Sequence, residues 1–262
     1  MKNVQWILAG AVALTLAACG QKASDTDASD TKIVGGTTVG TTDPIVKSTV
    51  ALLQPSGNAF CTGSLIGPRL VLTASHCLEG YTDDAMYVVF GPSAKGSAVK
   101  KANLRLVAKA VQNENFAPDE MDKDPQTGAP NDVALVSLTE DAPDGYAAAT
   151  LLAADATITV GEKLTLAGFG LTNYIGVGSG TLRKVDVKLT AISTVGKEIE
   201  FGDTPGKSAC MGDSGGPAFV TRGGKLALVG VTSRGSSHCD GSGIYTDVRQ
   251  FRDWIEKTSA KL

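Results

Sequence analysis

From residue 33 onward, the apolar positions come in short runs, each closed by Gly, Pro, Asp or Asn. These runs predict strands at 60–66, 70–73, 87–90, 104–111, 132–138, 163–167, 226–231 and 244–248. Residues 183–189 alternate basic or acidic with apolar side chains, the period of a strand buried on one face. One stretch has helical spacing instead. Val248, Phe251 and Ile255 share a face beside Trp254, and charged residues fill the rest, as in a packing helix. Between Ala117 and Pro130 the chain is polar and rich in Asp and Pro, which reads as a long loop. Many short strands with regular turn signals predict an all-β architecture, either antiparallel barrels or a sandwich.

Composition agrees with that pattern. A chain of 262 residues suits one large or two small domains with a substantial core. Its 31 glycines and 5% aromatic content favour strands and turns over helices. The net charge of −3 and the absence of a Lys/Arg block argue against a nucleic-acid partner. Beyond the N-terminus, no apolar stretch is long enough to span a bilayer.

The first residues read as a targeting segment. Lys2 precedes an apolar run from Val4 to Ala18 that ends in Leu16-Ala17-Ala18-Cys19-Gly20. This ending resembles the lipobox of bacterial lipoproteins, in which cleavage leaves the cysteine as a lipidated N-terminus. It implies a signal peptide at 1–18, lipidation of Cys19 and an exported precursor held at the outer membrane or cell surface. An ordinary signal peptide is the alternative. Residues 19–32 continue as a polar, acidic tether or propeptide. The chain has five cysteines, and lipidation of Cys19 leaves an even four for an oxidising compartment.

Candidate chemistry is narrowed by there being only two histidines. His76 ends an apolar strand beside Cys77, whereas His238 lies in a polar run that reads as surface loop. A serine hydroxyl is a poor nucleophile at neutral pH and needs such a base. Gly212-Asp213-Ser214-Gly215-Gly216-Pro217 surrounds a serine with small residues, so its hydroxyl and backbone amides can approach a carbonyl closely. Asp132 immediately precedes an apolar strand.

The segments IVGG at 33–36, TASHC at 73–77, NDVAL at 131–135, GDSGGP at 212–217 and GIYTDV at 243–248 occur in that order. Together they resemble the trypsin/chymotrypsin family of serine proteases, across residues 33–262. The resemblance implies two antiparallel six-stranded Greek-key β-barrels, at about 33–148 and 149–262, with the active site between them and a C-terminal helix. It makes His76 the general base, Asp132 its orienting carboxylate and Ser214 the nucleophile. The amides of Gly212 and Ser214 would hold the oxyanion. Cys61 would pair with Cys77, and Cys210 with Cys239.

The same resemblance implies a zymogen. Cleavage of Lys32–Ile33 would free an ammonium group to pair with Asp213. The specificity pocket would comprise Ser208, Met211, Ser233, Gly235 and Gly243. Ser208 stands where a trypsin-like floor carries Asp, and the two glycines match positions that leave room for a large ring. Large apolar or aromatic side chains are therefore expected on the acyl side of the scissile bond. Such an enzyme would not readily cut at Lys32, so an external activating protease is implied. Asp240 keeps Lys/Arg specificity open as an alternative. Protein or peptide substrates, a monomer, no cofactor and no metal are expected, including no calcium near residues 91–97.

Three departures from the family pattern stand out. Arg234 replaces the usual Trp and predicts a polar wall for the substrate strand. Residues 190–208 are short and lack a third bridge. The loop at 117–130 lengthens the stretch between His76 and Asp132. A catalytically silent binding homologue is a rival, although no triad member is missing. An esterase would ordinarily carry a Gly-x-Ser-x-Gly elbow in an α/β pattern, and that is absent.

Overall fold

A computed structural model describes residues 33–53, 59–80, 86–202 and 204–262. The expectations for Cys19, Lys32 and the leader lie outside these residues. A two-residue strand, β1 (Thr37–Thr38), precedes two barrels. The first is built from β2 (Thr49–Leu53), β3 (Ala59–Gly67), β4 (Leu70–Thr73), β5 (Tyr87–Val89), β6 (Leu104–Gln112) and β7 (Ala134–Leu138). Their antiparallel order is β2-β3-β4-β7-β6-β5, and β5 returns to β2 to close the ring.

The second half supplies β8 (Thr150–Leu151), β9 (Lys163–Gly168), β10 (Arg183–Ser193), β11 (Glu198–Gly202), β12 (Pro217–Arg222), β13 (Lys225–Gly235) and β14 (Gly243–Asp247). The order β9-β10-β11-β14-β13-β12 closes through β12 and β9. β8 lies parallel to β13, and β1 pairs with β10. The protein is thus two closed six-stranded antiparallel barrels with one short C-terminal helix, the fold class that the resemblance implied.

Closure removes exposed sheet edges and gives each strand an inner row. In β10, Val185, Val187 and Leu189 are buried while Asp186 and Lys188 face solvent, as the alternation predicted. One core cluster includes Leu52, Leu72, Val88 and Leu135, and the other includes Leu164, Val187, Ile199, Val229 and Tyr245. The terminal helix α1 (Arg252–Ser259) follows a 3-10 turn, Val248–Phe251, whose start is capped by the Asp247 carboxylate accepting from Arg249 N at 3.1 Å. Val248, Phe251 and Ile255 enter the first cluster alongside Phe219 and Val231 of the second barrel, tying the two halves together.

Strands β2, β11 and β12 were not expected from the apolar runs. β12 begins at a proline, which is tolerated at a strand's first residue. β11 reads Glu-Ile-Glu-Phe-Gly, and its buried Glu198 is a poor strand signal until its partner is known. The 117–130 loop is pinned from the second barrel: Ser193 Oγ donates to Pro125 O, and Arg234 Nη2 donates to Lys123 O at 3.2 Å.

Candidate active site

Strand β4 ends at Thr73, and a 3-10 turn, Ser75–Leu78, carries His76 out of the barrel. Ser75 Oγ donates to Val133 O at 2.7 Å, fixing this turn against the chain that carries Asp132. Asp132 is completely buried. Its Oδ1 accepts from His76 N at 2.9 Å, while Oδ2 accepts from His76 Nδ1 at 2.8 Å and Ser233 Oγ at 2.7 Å. Three donors therefore hold one buried carboxylate, and its carbonyl accepts from Thr246 Oγ1 at 2.8 Å. Burial of the His76 ring works against its charged form. The hydrogen bond and charge of Asp132 outweigh this, so the His76 pKa is raised. With Nδ1 donating to the carboxylate, Nε2 keeps the lone pair that a general base needs.

Ser214 is positioned by both barrels. Its carbonyl accepts from Thr62 N at 2.8 Å, and Gly215 N donates to Thr232 O at 2.8 Å. The Cys61–Cys77 disulfide links the strand of Thr62 to the turn of His76. Gly215 has φ +77°, and a Cβ there would lie 2.0 Å from Thr73 Oγ1, so only glycine allows this approach. Gly212 O accepts from Thr62 Oγ1 at 2.8 Å, which orients the Gly212 peptide. Among the described residues, the amides of Gly212 and Ser214 donate to no protein acceptor, the state an oxyanion requires. The structure brings Asp132, Ser233 and His76 into one hydrogen-bonded chain, and no hydrogen bond yet joins Ser214 Oγ to it. Contacts of this kind commonly tighten only when substrate is bound.

Asp213 turns away from the cleft. Its Oδ1 accepts from Gly170 N and its Oδ2 from Cys210 N, each at 2.9 Å. Gly168 and Gly170 leave the space for it, since a Cβ on either would collide with the carboxylate. Burial pushes the Asp213 pKa up to about 6, which the two amides and the nearby charge of Arg183 only partly offset. Ile33 is buried in the second core cluster, and Val34 forms an antiparallel bridge to Ser208. Ile33 has φ +37°, a left-handed conformation that is costly for a β-branched residue.

The cavity beside Ser214 is walled by Ala209, Cys210, Met211, Ser233, Gly235 and Gly243, among others. Met211 is an exposed rim residue. Ser208 is buried below the wall, with its hydroxyl donating to Ala209 O at 2.9 Å. Cys210 is bonded to Cys239 and braces this side. Asp240 is exposed and accepts from the hydroxyl of Ser236, itself a lining residue of the cavity, at 2.7 Å. His238 is also exposed, edge-on to the Tyr174 ring.

Among the described residues, the one cluster with metal-binding potential is Cys61, His76 and Cys77. The disulfide consumes both thiols, so this donor set does not fit a metal ion.

Two residues near the site were missed by sequence reasoning. Glu198 makes two hydrogen bonds to Arg234, Oε1 with Nη1 and Oε2 with Nη2, the latter at 3.0 Å. Arg234 was flagged only as a departure, and nothing local to it pointed to a partner 36 positions away. The other is Phe201, whose ring packs against Gly243 and Tyr245.

Comparison with known proteins agrees with this geometry. The trypsin family model matches residues 33–255. Trypsin of Sarcophaga bullata is 31% identical over 250 residues, covering 89% of this chain and 91% of that protein. Trypsin of Phaedon cochleariae is 33% identical, covering 76% and 78% respectively. Trypsin alpha-4 of Lucilia cuprina is 29% identical, covering 89% of each.

Proposed function

Because the chain belongs to the trypsin family of serine proteases, we propose that it is an active serine endopeptidase, with Ser214 as nucleophile, His76 as base and Asp132 as orienting carboxylate. The observation that carries this is the buried Asp132 held by His76 and Ser233, next to two unclaimed amides at Gly212 and Ser214. Ser214 Oγ gives its proton to His76 Nε2 as it attacks the peptide carbonyl. The resulting oxyanion accepts hydrogen bonds from Gly212 N and Ser214 N, and loss of one such donor typically costs about 3 kcal/mol in the transition state. His76 then protonates the leaving amine, and water hydrolyses the acyl-enzyme by the same route in reverse.

The enzyme is made as a zymogen activated by an external protease at Lys32–Ile33. Two observations support this. Asp213 is a buried carboxylate with incomplete charge compensation, ready for the Ile33 ammonium. The left-handed φ of Ile33 is strained only while residue 32 is attached, so cleavage removes that constraint. The two disulfides fit a chain that folds outside the reducing cytoplasm. If Cys19 is lipidated, activation also releases the catalytic domain from its anchor, because no cysteine lies in residues 20–32.

The primary pocket takes apolar side chains. In support, no carboxylate among the described residues lines the cavity, and the Ser208 hydroxyl is turned onto Ala209 O. The test is protein cut at Lys32 and treated with a fluorophosphonate. Labelling that disappears in Ser214→Ala is expected. Failure of the cut protein to label would favour the silent binding homologue.

A further inference from the structure

Gly235 and Gly243 both line the cavity beside Ser214, yet the space each one leaves is different. A Cβ on Gly235 would meet only Ser242 O at 3.4 Å and Gly243 Cα at 3.6 Å, which are ordinary contacts. A Cβ on Gly243 would fall 2.3 Å from both Cε1 and Cζ of Phe201. Phe201 and Gly243 are direct partners across the antiparallel pair β11–β14, so their side-chain positions lie on one face. The room left by Gly243 is therefore already filled by the protein's own ring. That ring is 1% exposed and locked edge-on against Tyr245, with centroids 5.4 Å apart.

The cavity reflects this. It reaches Ala209, Thr232 and Gly243; Ser208 lies outside its lining, and so does Phe201, which is packed directly behind Gly243. Its volume is about 140 Å³, close to the ~150 Å³ interior cavity known to hold one benzene molecule.

We propose that Phe201 is a specificity-determining residue that, from behind Gly243, sets the depth of the primary pocket and limits the substrate side chain to about the size of a benzene ring. The proposal rests on reading the protein as a protease with an apolar pocket. Leu, Met and Phe fit this volume. The nine-atom indole of Trp is larger than the single ring that this volume matches. The longer phenol of Tyr would be driven against the floor at Gly243, which the Phe201 ring behind it keeps from yielding.

The test uses full chain cut at Lys32 and a series of peptides differing only at the residue before the scissile bond. For the native enzyme, kcat/KM for Leu and Met is expected to exceed that for Trp and Tyr at least tenfold. Phe201→Ala should shrink that gap by raising Trp and Tyr. Phe201→Leu, which keeps an apolar core residue, serves if the alanine variant does not fold, and should raise Tyr relative to Leu. Equal cleavage after Trp, Tyr and Leu by the native enzyme would overturn the size limit while leaving an apolar pocket intact. So would a gap that persists unchanged in the folded variants. Cleavage confined to Lys or Arg would instead overturn the apolar reading on which the proposal stands.

Discussion

Replacing Arg234 with alanine isolates the energetics of the most unusual pair in the site. Glu198 is 1% exposed, and Arg234 supplies both of its charged hydrogen bonds. Removing one member of a buried ion pair typically costs about 3–5 kcal/mol, because the other charge is left uncompensated. Glu198 has an escape, since it can take up a proton. Burial already raises its pKa, despite Arg234, and the negative charge of Asp132 adds to that. Without Arg234 the folded-state value rises further. A carboxyl whose pKa is higher folded than unfolded stabilises the fold at low pH, and that contribution is lost as pH rises through the folded value. The penalty in Arg234→Ala should therefore grow with pH, by up to about 1.4 kcal/mol for each unit between the unfolded and folded values. Urea unfolding in a Ser214→Ala background, which prevents self-digestion, should show a loss of about 1 kcal/mol at pH 5 and about 3 kcal/mol at pH 8. The double variant Arg234→Ala/Glu198→Gln should recover most of the loss at pH 8. A penalty independent of pH, or strict additivity in the double variant, would refute the argument.

Three further outcomes follow from two titrating groups of the site. With its pKa raised by Asp132, His76 should place the acid limb of kcat/KM above pH 6.5. Ser233→Ala, which removes one donor from Asp132, should lower kcat/KM roughly tenfold and move that limb further up, whereas an unmoved limb would count against the three-donor description. Asp213 is raised from 3.8 to about 6 in the uncut chain. Its protonated form stabilises the fold below about pH 4, and about 3 kcal/mol is lost as pH climbs from there through 6. Unfolding of uncut Ser214→Ala protein should show this slope, and Asp213→Asn should abolish it.

Much of the molecule is legible in one dimension because the relevant physics is local. The alternation from Arg183 to Leu189 encodes a half-buried strand directly, and the small residues around Ser214 encode a backbone that can approach another chain. The helix face of Val248, Phe251 and Ile255 is read in the same way. The residues proposed as a triad stand out in their motifs, while their distances required the fold.

What only the tertiary structure decided is which groups share a space. Nothing local to Glu198 marks it as buried; β11 and β13 bring it to Arg234. Asp213 is expected from the resemblance to meet the Ile33 ammonium, but its cradle, formed by Gly168 and Gly170 from a different strand and loop, appears only in the fold. Gly243 reads as room for a substrate ring until β11 sets Phe201 directly opposite it. Each of these depends on the register between strands remote in sequence, and a one-residue slip would turn the opposing side chain to the other face. That register is set by closure of the second barrel as a whole, which no local stretch of residues records.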